Sequence, residues 1–128
     1  MKILGIGVDI INNKRIRSLI LNKSFINKTF GKNEIKFSKK KVNKINYFAK
    51  RFAAKEAFAK ALGTGFRKGL NFRDIEILND KIGKPYFLIS KKIDKVVTKK
   101  FKVKKFNLFL SISDEKEYSI AFTILQTK

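Results

Sequence analysis

Residues 45–65 read INYFAKRFAAKEAFAKALGTG, and the reading of this stretch decides the architecture. Strong helix formers run unbroken to Leu62 and stop at Gly63-Thr64-Gly65. The pattern predicts a helix from about Ile45 or Asn46 to Leu62, closed by glycine. Ile45, Phe48, Phe52, Ala59 and Leu62 mark its apolar stripe. At about 100° per residue, Lys55 projects within the sector bounded by Phe48, Phe52 and Leu62, with Glu56 at its edge. Charges are unusual on the apolar face of a purely structural helix. Either a lysine–glutamate pair is neutralised at the rim of the core, or this face carries chemistry.

A complementary surface lies at the N-terminus. Residues 3–10 alternate as a strand does, with Leu4, Ile6, Val8 and Ile10 on one face and Ile3, Gly5, Gly7 and Asp9 on the other. Two glycines on one face let another backbone approach closely, and Asp9 ends that bare face. If the long helix packs across it, Asp9 and Glu56 converge. Two carboxylates, completed by phosphate oxygens and water, form an environment suited to magnesium, a hard ion that prefers oxygen. Lys60 is one helical turn beyond Glu56 and reaches the same side. A carboxylate pair beside a lysine suits metal-assisted phosphoryl transfer.

The rest of the chain supplies further elements. Asn12 or Asn13 can cap a helix carrying Ile16, Leu19 and Ile20, with Arg15 and Arg17 on its flanks. Residues 31–46 are Lys/Asn-rich and predict a short helix followed by a mobile loop. Strand-like Ile75–Leu78 and Tyr86–Ile89 flank a turn at 79–85, and Ser90 can cap a helix carrying Ile93, Val96, Val97 and Phe101. Alternation at Leu108, Leu110 and Ile112, a turn at 114–117, and alternation again from Tyr118 to Ile124 predict a closing hairpin. The order β-α-α-α-β-β-α-β-β gives an α+β fold, a largely antiparallel sheet packed against a long central helix. With 128 residues, no internal repeat and no linker, one domain over 1–128 is expected.

Composition narrows the chemistry. Cysteine and histidine are both absent, so disulfides, Cys/His zinc sites and Cys or His catalysis are excluded. The opening MKILGIGVDII is interrupted by Asp9 and lacks a small-residue cleavage site, so it reads as part of the fold and not as a leader. No uncharged apolar run approaches the roughly 18 residues of a membrane span, and a cytoplasmic protein without a membrane partner is expected. The net charge of +21 favours acidic partners. Nucleic acid is not among those expected, because the basic residues are spread along the chain and basic–aromatic interleaving is sparse.

Three segments together, GIGVDI at 5–10, RFAAKEAFAKALGTG at 51–65 and LSISD at 110–114 followed by Lys116 and Tyr118, resemble the signatures of the holo-acyl-carrier-protein synthase group of phosphopantetheinyl transferases. The resemblance spans essentially the whole chain, with Asp74–Ile77 and Gly83–Tyr86 matching between the signatures. It implies the 4′-phosphopantetheinyl transferase fold, assembled as a homotrimer with active sites between subunits. It implies that Asp9 and Glu56 hold magnesium, and that phosphopantetheine passes from coenzyme A to a serine of an acidic apo-acyl carrier protein in support of fatty acid synthesis. Asp9, Glu56 and Lys60 are the implied catalytic residues. Lys60 assists the leaving group, and the general base is Glu56, Asp9 or a metal-bound water. Coenzyme A is expected at Arg51, Lys55, Lys60, Gly63, Thr64, Gly65, Pro85 and Ser113, and the carrier protein at Arg15 and Arg17. One departure stands out: Asp114 occupies the position where the family commonly has a histidine near the nucleotide's 3′-phosphate, and an anion there repels phosphate.

Overall fold

A computed structural model describes residues 1–64 and 69–128. The alternating N-terminal segment forms strand β1 (Ile3–Asn12), and Asn12 turns the chain into helix α1 (Asn13–Leu19) by accepting from the Lys14 backbone N–H at 3.0 Å. Helices α2 (Lys23–Thr29) and α3 (Lys32–Ser38) follow, then the long α4 (Lys44–Leu62). A 3-10 turn at Phe72–Asp74 leads to the hairpin β2 (Glu76–Asn79) and β3 (Pro85–Leu88). Helix α5 (Lys91–Phe101) and the hairpin β4 (Phe106–Asp114) and β5 (Tyr118–Thr127) complete the chain. The strands form an antiparallel three-stranded sheet in the order β1-β5-β4 and a separate antiparallel pair, β2-β3. The α+β class and the antiparallel sheet against a long helix are as expected.

Two details differ from the sequence reading. Helix α2 was not foreseen. It is one of three seven-residue helices, started by Asn22, whose side chain accepts from the Ser24 and Phe25 backbone N–H groups. Its apolar contribution comes through Ile26 and Phe25, the latter packing near Phe30 and Phe52 with ring centroids 6.1 Å away in each case. The loop after α3 is also short, residues 39–43, because Asn43 caps α4 one residue earlier than the apolar pattern suggested.

Helix α4 is buried around most of its circumference, which a single apolar stripe does not convey. The sheet covers one side of it, and α1, α3 and β2 press on the others. The helix ends where Gly63 takes a left-handed conformation (φ 81°), its N–H bonding the Ala59 and Lys60 carbonyls at 3.1 Å. Against the sheet, alanines of α4 meet glycines of β1. A Cβ built on Gly5 would lie 1.9 Å from the Ala61 carbonyl oxygen, and one on Gly7 would lie 1.8 Å from that of Ala57. Any side chain at either position would hold the helix away from the strand.

The choice of glycine face for the core leaves the apolar face of β1 outside. Ile6, Val8 and Ile10 are each more than half exposed, while Gly7 and Ile11 are buried. In register beside them, Val8 pairs with Phe122 and Ile10 with Ile120 of β5, and Phe109 of β4 extends the patch. This outer sheet face is the largest run of exposed apolar side chains that the strands present among the described residues.

Candidate active site

The Gly5/Gly7 seam sets the distance between β1 and α4, and so brings their polar groups together. Asp9 lies two residues beyond Gly7 on the same inward face, opposite Ala121 of β5. Glu56 and Lys60 project from α4 beside it. The Lys60 ammonium donates to Asp9 Oδ1 at 3.2 Å and to the Val8 carbonyl at 2.9 Å, bracing helix against strand. Glu56 is half-buried and its carboxyl is held above the ordinary carboxylate range, first by burial and then by the negative charge of Asp9. Lys60 and Arg15 pull the other way without cancelling the effect. Asp9, Glu56, Lys60 and Arg15 therefore form one electrostatic cluster. Arg15 enters it from α1 with its guanidinium over the Phe52 ring, 5.8 Å from the centroid. Arg17 is exposed on the same helix and has no contact with this cluster among the described residues.

The donor set suits a hard divalent cation. Beyond the effect of burial, the negative charge of Asp9 acts on Glu56, and a cation between the two carboxylates would relieve that repulsion. Among the described residues there is no group of three or more acidic, His or Cys ligands. A metal here would draw its remaining oxygens from substrate phosphates and water, the usual arrangement for magnesium.

A second set of expected residues gathers elsewhere. Arg51, Pro85 and Asp114 line one hollow with Lys50, Asn79, Gly83 and Ile112, between α4, the β2–β3 hairpin and the end of β4. It adjoins a larger cavity of about 560 Å³ that Lys41, Lys50 and Lys81 border. Asp114 is in no ion pair among the described residues, and its Oδ2 accepts from the Asn46 side-chain amide at 2.9 Å. Ser113 is exposed on the opposite face of β4, paired with Ile120 on the outer side of the sheet. Gly63 and Thr64 sit at the end of α4 just past Lys60, and Gly65 lies outside the described residues.

Lys55 is corrected by its surroundings. Its side chain is fully buried, and the ammonium donates to Glu34 Oε1 at 2.6 Å, to the Phe72 carbonyl at 3.1 Å and to the Ile75 carbonyl. All three of its protons are used inside the protein, so Lys55 offers none to coenzyme A. The lysine–glutamate alternative was the right one for Lys55, with Glu34 and not Glu56 as partner. Burial pushes the Glu34 carboxyl up and the Lys55 ammonium down, and their attraction opposes both shifts. Glu34 also accepts from the Gly31 and Ile77 backbone N–H groups, so the pair ties α3 and β2 to α4.

Sequence reading missed other supporting side chains. Asn13 is buried, and its amide donates to the Glu115 and Lys116 carbonyls at 3.1 Å while Ser119 Oγ donates to its oxygen at 2.9 Å. It fixes the β4–β5 turn against the start of α1, while Asn46 of α4 holds Asp114 and the Glu115 carbonyl from the other side. An asparagine one residue after a cap gives no sequence signal of that role.

A small α+β subunit whose strand aspartate and helix glutamate share one cation-ready cluster fits a phosphoryl-group transferase. The profile of the 4′-phosphopantetheinyl transferase superfamily matches residues 5–123, and the chain belongs to that family. More particularly, it is 59% identical over 128 residues to the holo-[acyl-carrier-protein] synthase of Pelagibacter ubique, with 100% of each chain covered. Its fold resembles that of holo-[acyl-carrier-protein] synthase from Neisseria meningitidis, with a TM-score of 0.87, 38% identity, and coverage of 98% of this chain and 100% of that one. It also resembles the Bacillus anthracis synthase solved in complex with CoA (3′,5′-ADP), with a TM-score of 0.80, 36% identity and 98% of both chains covered.

Proposed function

We propose that this chain is a magnesium-dependent holo-acyl-carrier-protein synthase. It transfers 4′-phosphopantetheine from coenzyme A to a serine of apo-acyl carrier protein in the cytoplasm, in support of fatty acid synthesis. The observation that carries the reading is the electrostatic cluster across the glycine seam, where Asp9 acts on Glu56 and Lys60 is joined to Asp9 at 3.2 Å. In the transfer, the serine oxygen bonds to the β-phosphorus of coenzyme A as the bond from that phosphorus to the bridging oxygen breaks. Adenosine 3′,5′-bisphosphate leaves with that oxygen. Asp9 and Glu56 would hold magnesium, which would supply positive charge to offset the negative charge developing on the pyrophosphate. Glu56, raised by burial and by Asp9, is suited to receive the serine proton. Lys60 is suited to meet the charge on the departing oxygen, and Arg15 to receive the acidic carrier beside the cluster.

The same reading makes the working unit a homotrimer with active sites between subunits. Arg51 and Lys60 are nine residues apart on α4, about 13 Å along the axis and about half a turn around it. Within one subunit the nucleotide groove and the carboxylate cluster thus face different ways, and a neighbouring subunit is what would place one beside the other. The exposed apolar face of Ile6, Val8, Ile10, Phe109, Ile120 and Phe122 supplies a surface for that association.

Mass spectrometry of apo-acyl carrier protein incubated with the protein, magnesium and coenzyme A tests the function. A phosphopantetheine mass gain on the carrier serine is expected, with none when magnesium is chelated. No gain in the complete mixture would overturn the assignment.

A further inference from the structure

Arg51 is unusual for a residue lining a groove, because only 5% of it is exposed. Each terminal nitrogen of its guanidinium makes one hydrogen bond: Nη1 donates to the Tyr47 carbonyl at 3.2 Å and Nη2 donates to Asn79 Oδ1. The plane lies over the Tyr47 ring with Cζ 3.7 Å from the centroid. Nε, in contrast, is buried with no hydrogen-bond partner among the described residues. A buried arginine N–H left unpaired is costly, and it belongs to a residue that borders each of three adjoining hollows. Asn79 also borders all three and holds the other side of the arrangement. Its oxygen accepts from Arg51 while its amide nitrogen donates to the Gly83 carbonyl at 2.9 Å. One side chain thus ties the arginine of α4 to the turn of the β2–β3 hairpin that walls the groove.

We propose that Asn79 is a positioning residue for substrate recognition: by gripping Arg51 and the Gly83 turn together, it fixes the guanidinium in the wall of the groove, where its positive charge draws an anionic group of the bound nucleotide. The inference rests on the coenzyme A reading and adds a residue and a role to it. An amide is needed at this position for a chemical reason. A carboxylate would still accept from Arg51, but it would neutralise the guanidinium, and it could not donate to Gly83.

That difference separates a recognition role from a structural one. Binding of adenosine 3′,5′-bisphosphate to the intact protein is measured by titration calorimetry for the wild type, Asn79→Ala and the isosteric Asn79→Asp, with steady-state kinetics alongside. Asn79→Ala should weaken binding on the order of tenfold, the scale of one hydrogen bond to a charged group. Asn79→Asp should weaken it further, although it keeps the acceptor for Arg51. The KM for coenzyme A should rise in both, while kcat and the KM for carrier protein stay within about twofold. If Asn79→Asp binds the bisphosphate as well as or better than Asn79→Ala, Asn79 is only a structural strut and the proposal fails. Unchanged binding in both variants overturns this inference alone. If the wild-type protein binds neither the bisphosphate nor coenzyme A, the coenzyme reading falls and this inference falls with it.

Discussion

Replacing Gly7 with alanine tests whether one backbone contact governs both fold and activity. The added Cβ would lie 1.8 Å from the Ala57 carbonyl oxygen, 2.8 Å from its carbon and 2.9 Å from the Ala61 nitrogen. All three are backbone atoms in the C-terminal part of α4, so no side chain can swing away to relieve the clash. Restoring ordinary contact requires the helix and strand to separate by about 1.5 Å. Overpacking of this kind costs about 3 kcal/mol. The functional consequence follows from where the polar groups are attached. Asp9 is on β1, Glu56 and Lys60 are on α4, and the 3.2 Å contact between Lys60 and Asp9 spans the seam that must open. A displacement of about 1 Å between reacting groups lowers rates on the order of 100-fold. Urea unfolding should therefore show a loss of about 3 kcal/mol. Transfer to apo-carrier protein, assayed where circular dichroism shows the variant folded, should fall by about two orders of magnitude. Gly7→Ala with near-parental stability and transfer within twofold would refute the reasoning that the seam sets the site.

The remaining predictions concern individual groups. Asp9→Ala and Glu56→Ala should each abolish transfer while leaving the circular dichroism spectrum unchanged, and activity within a few-fold of wild type would remove either from the proposed metal site. Glu56 has a folded-state pKa above its ordinary value, so its contribution to stability is complete at low pH and is lost as pH rises through the folded pKa. Glu56→Gln should accordingly melt higher than wild type at pH 7 without magnesium, with the gap narrowing as pH falls into the carboxylate range; a gap that widens on acidification would contradict the shift. If the proposed trimer forms through the outer sheet face, Phe122→Lys should sediment as a monomer and lose activity with it; an unchanged sedimentation profile would remove this face from the assembly. Arg15→Ala should raise the KM for carrier protein, the more so at low salt, and leave that for coenzyme A nearly unchanged; a defect confined to coenzyme A would place Arg15 in the nucleotide pocket.

What could be read from the sequence depended on how local the cause was. The limits of α4 were legible because Gly63 and the helix-forming run act within a few residues of one another. The pairing of Asp9 with Glu56 was legible only conditionally, since it required the helix to choose the glycine face of β1. Periodicity cannot make that choice, because it reports two faces and does not say which one faces inward. It also favours the wrong side here: Ile6, Val8 and Ile10 look like core residues, yet they lie on the exposed face. Lys55 was misplaced at the coenzyme because its partner, Glu34, is 21 residues away on α3, in a segment whose composition suggested little beyond a short helix and a loop. Asn13, Asn46 and Asn79 were equally hidden, since an asparagine on a helix or strand looks the same whether it is solvated or braces a turn.

These failures have a common physical origin. The site is built from long-range contacts between polar groups and from one close backbone approach, and neither leaves a periodic trace. The glycines are the exception, because their cost is visible in the sequence. Gly5 and Gly7 weaken β1 as a strand, and that cost is offset only if something comes closer to them than a side chain would allow. The Ala57 and Ala61 carbonyls come that close, and the helix that carries them also carries Glu56 and Lys60. The outer face of the sheet poses the complementary case. A strand that turns its glycines inward and its isoleucines and valine outward leaves apolar surface for a second partner. The choice of face that brings Asp9 to Glu56 is therefore also the choice that leaves an apolar sheet face exposed on a single subunit. Variants that disturb the glycine face should impair chemistry without changing the mass of the particle in solution, and variants that charge the apolar face should, on the proposed trimeric assembly, impair it by dispersing the subunits.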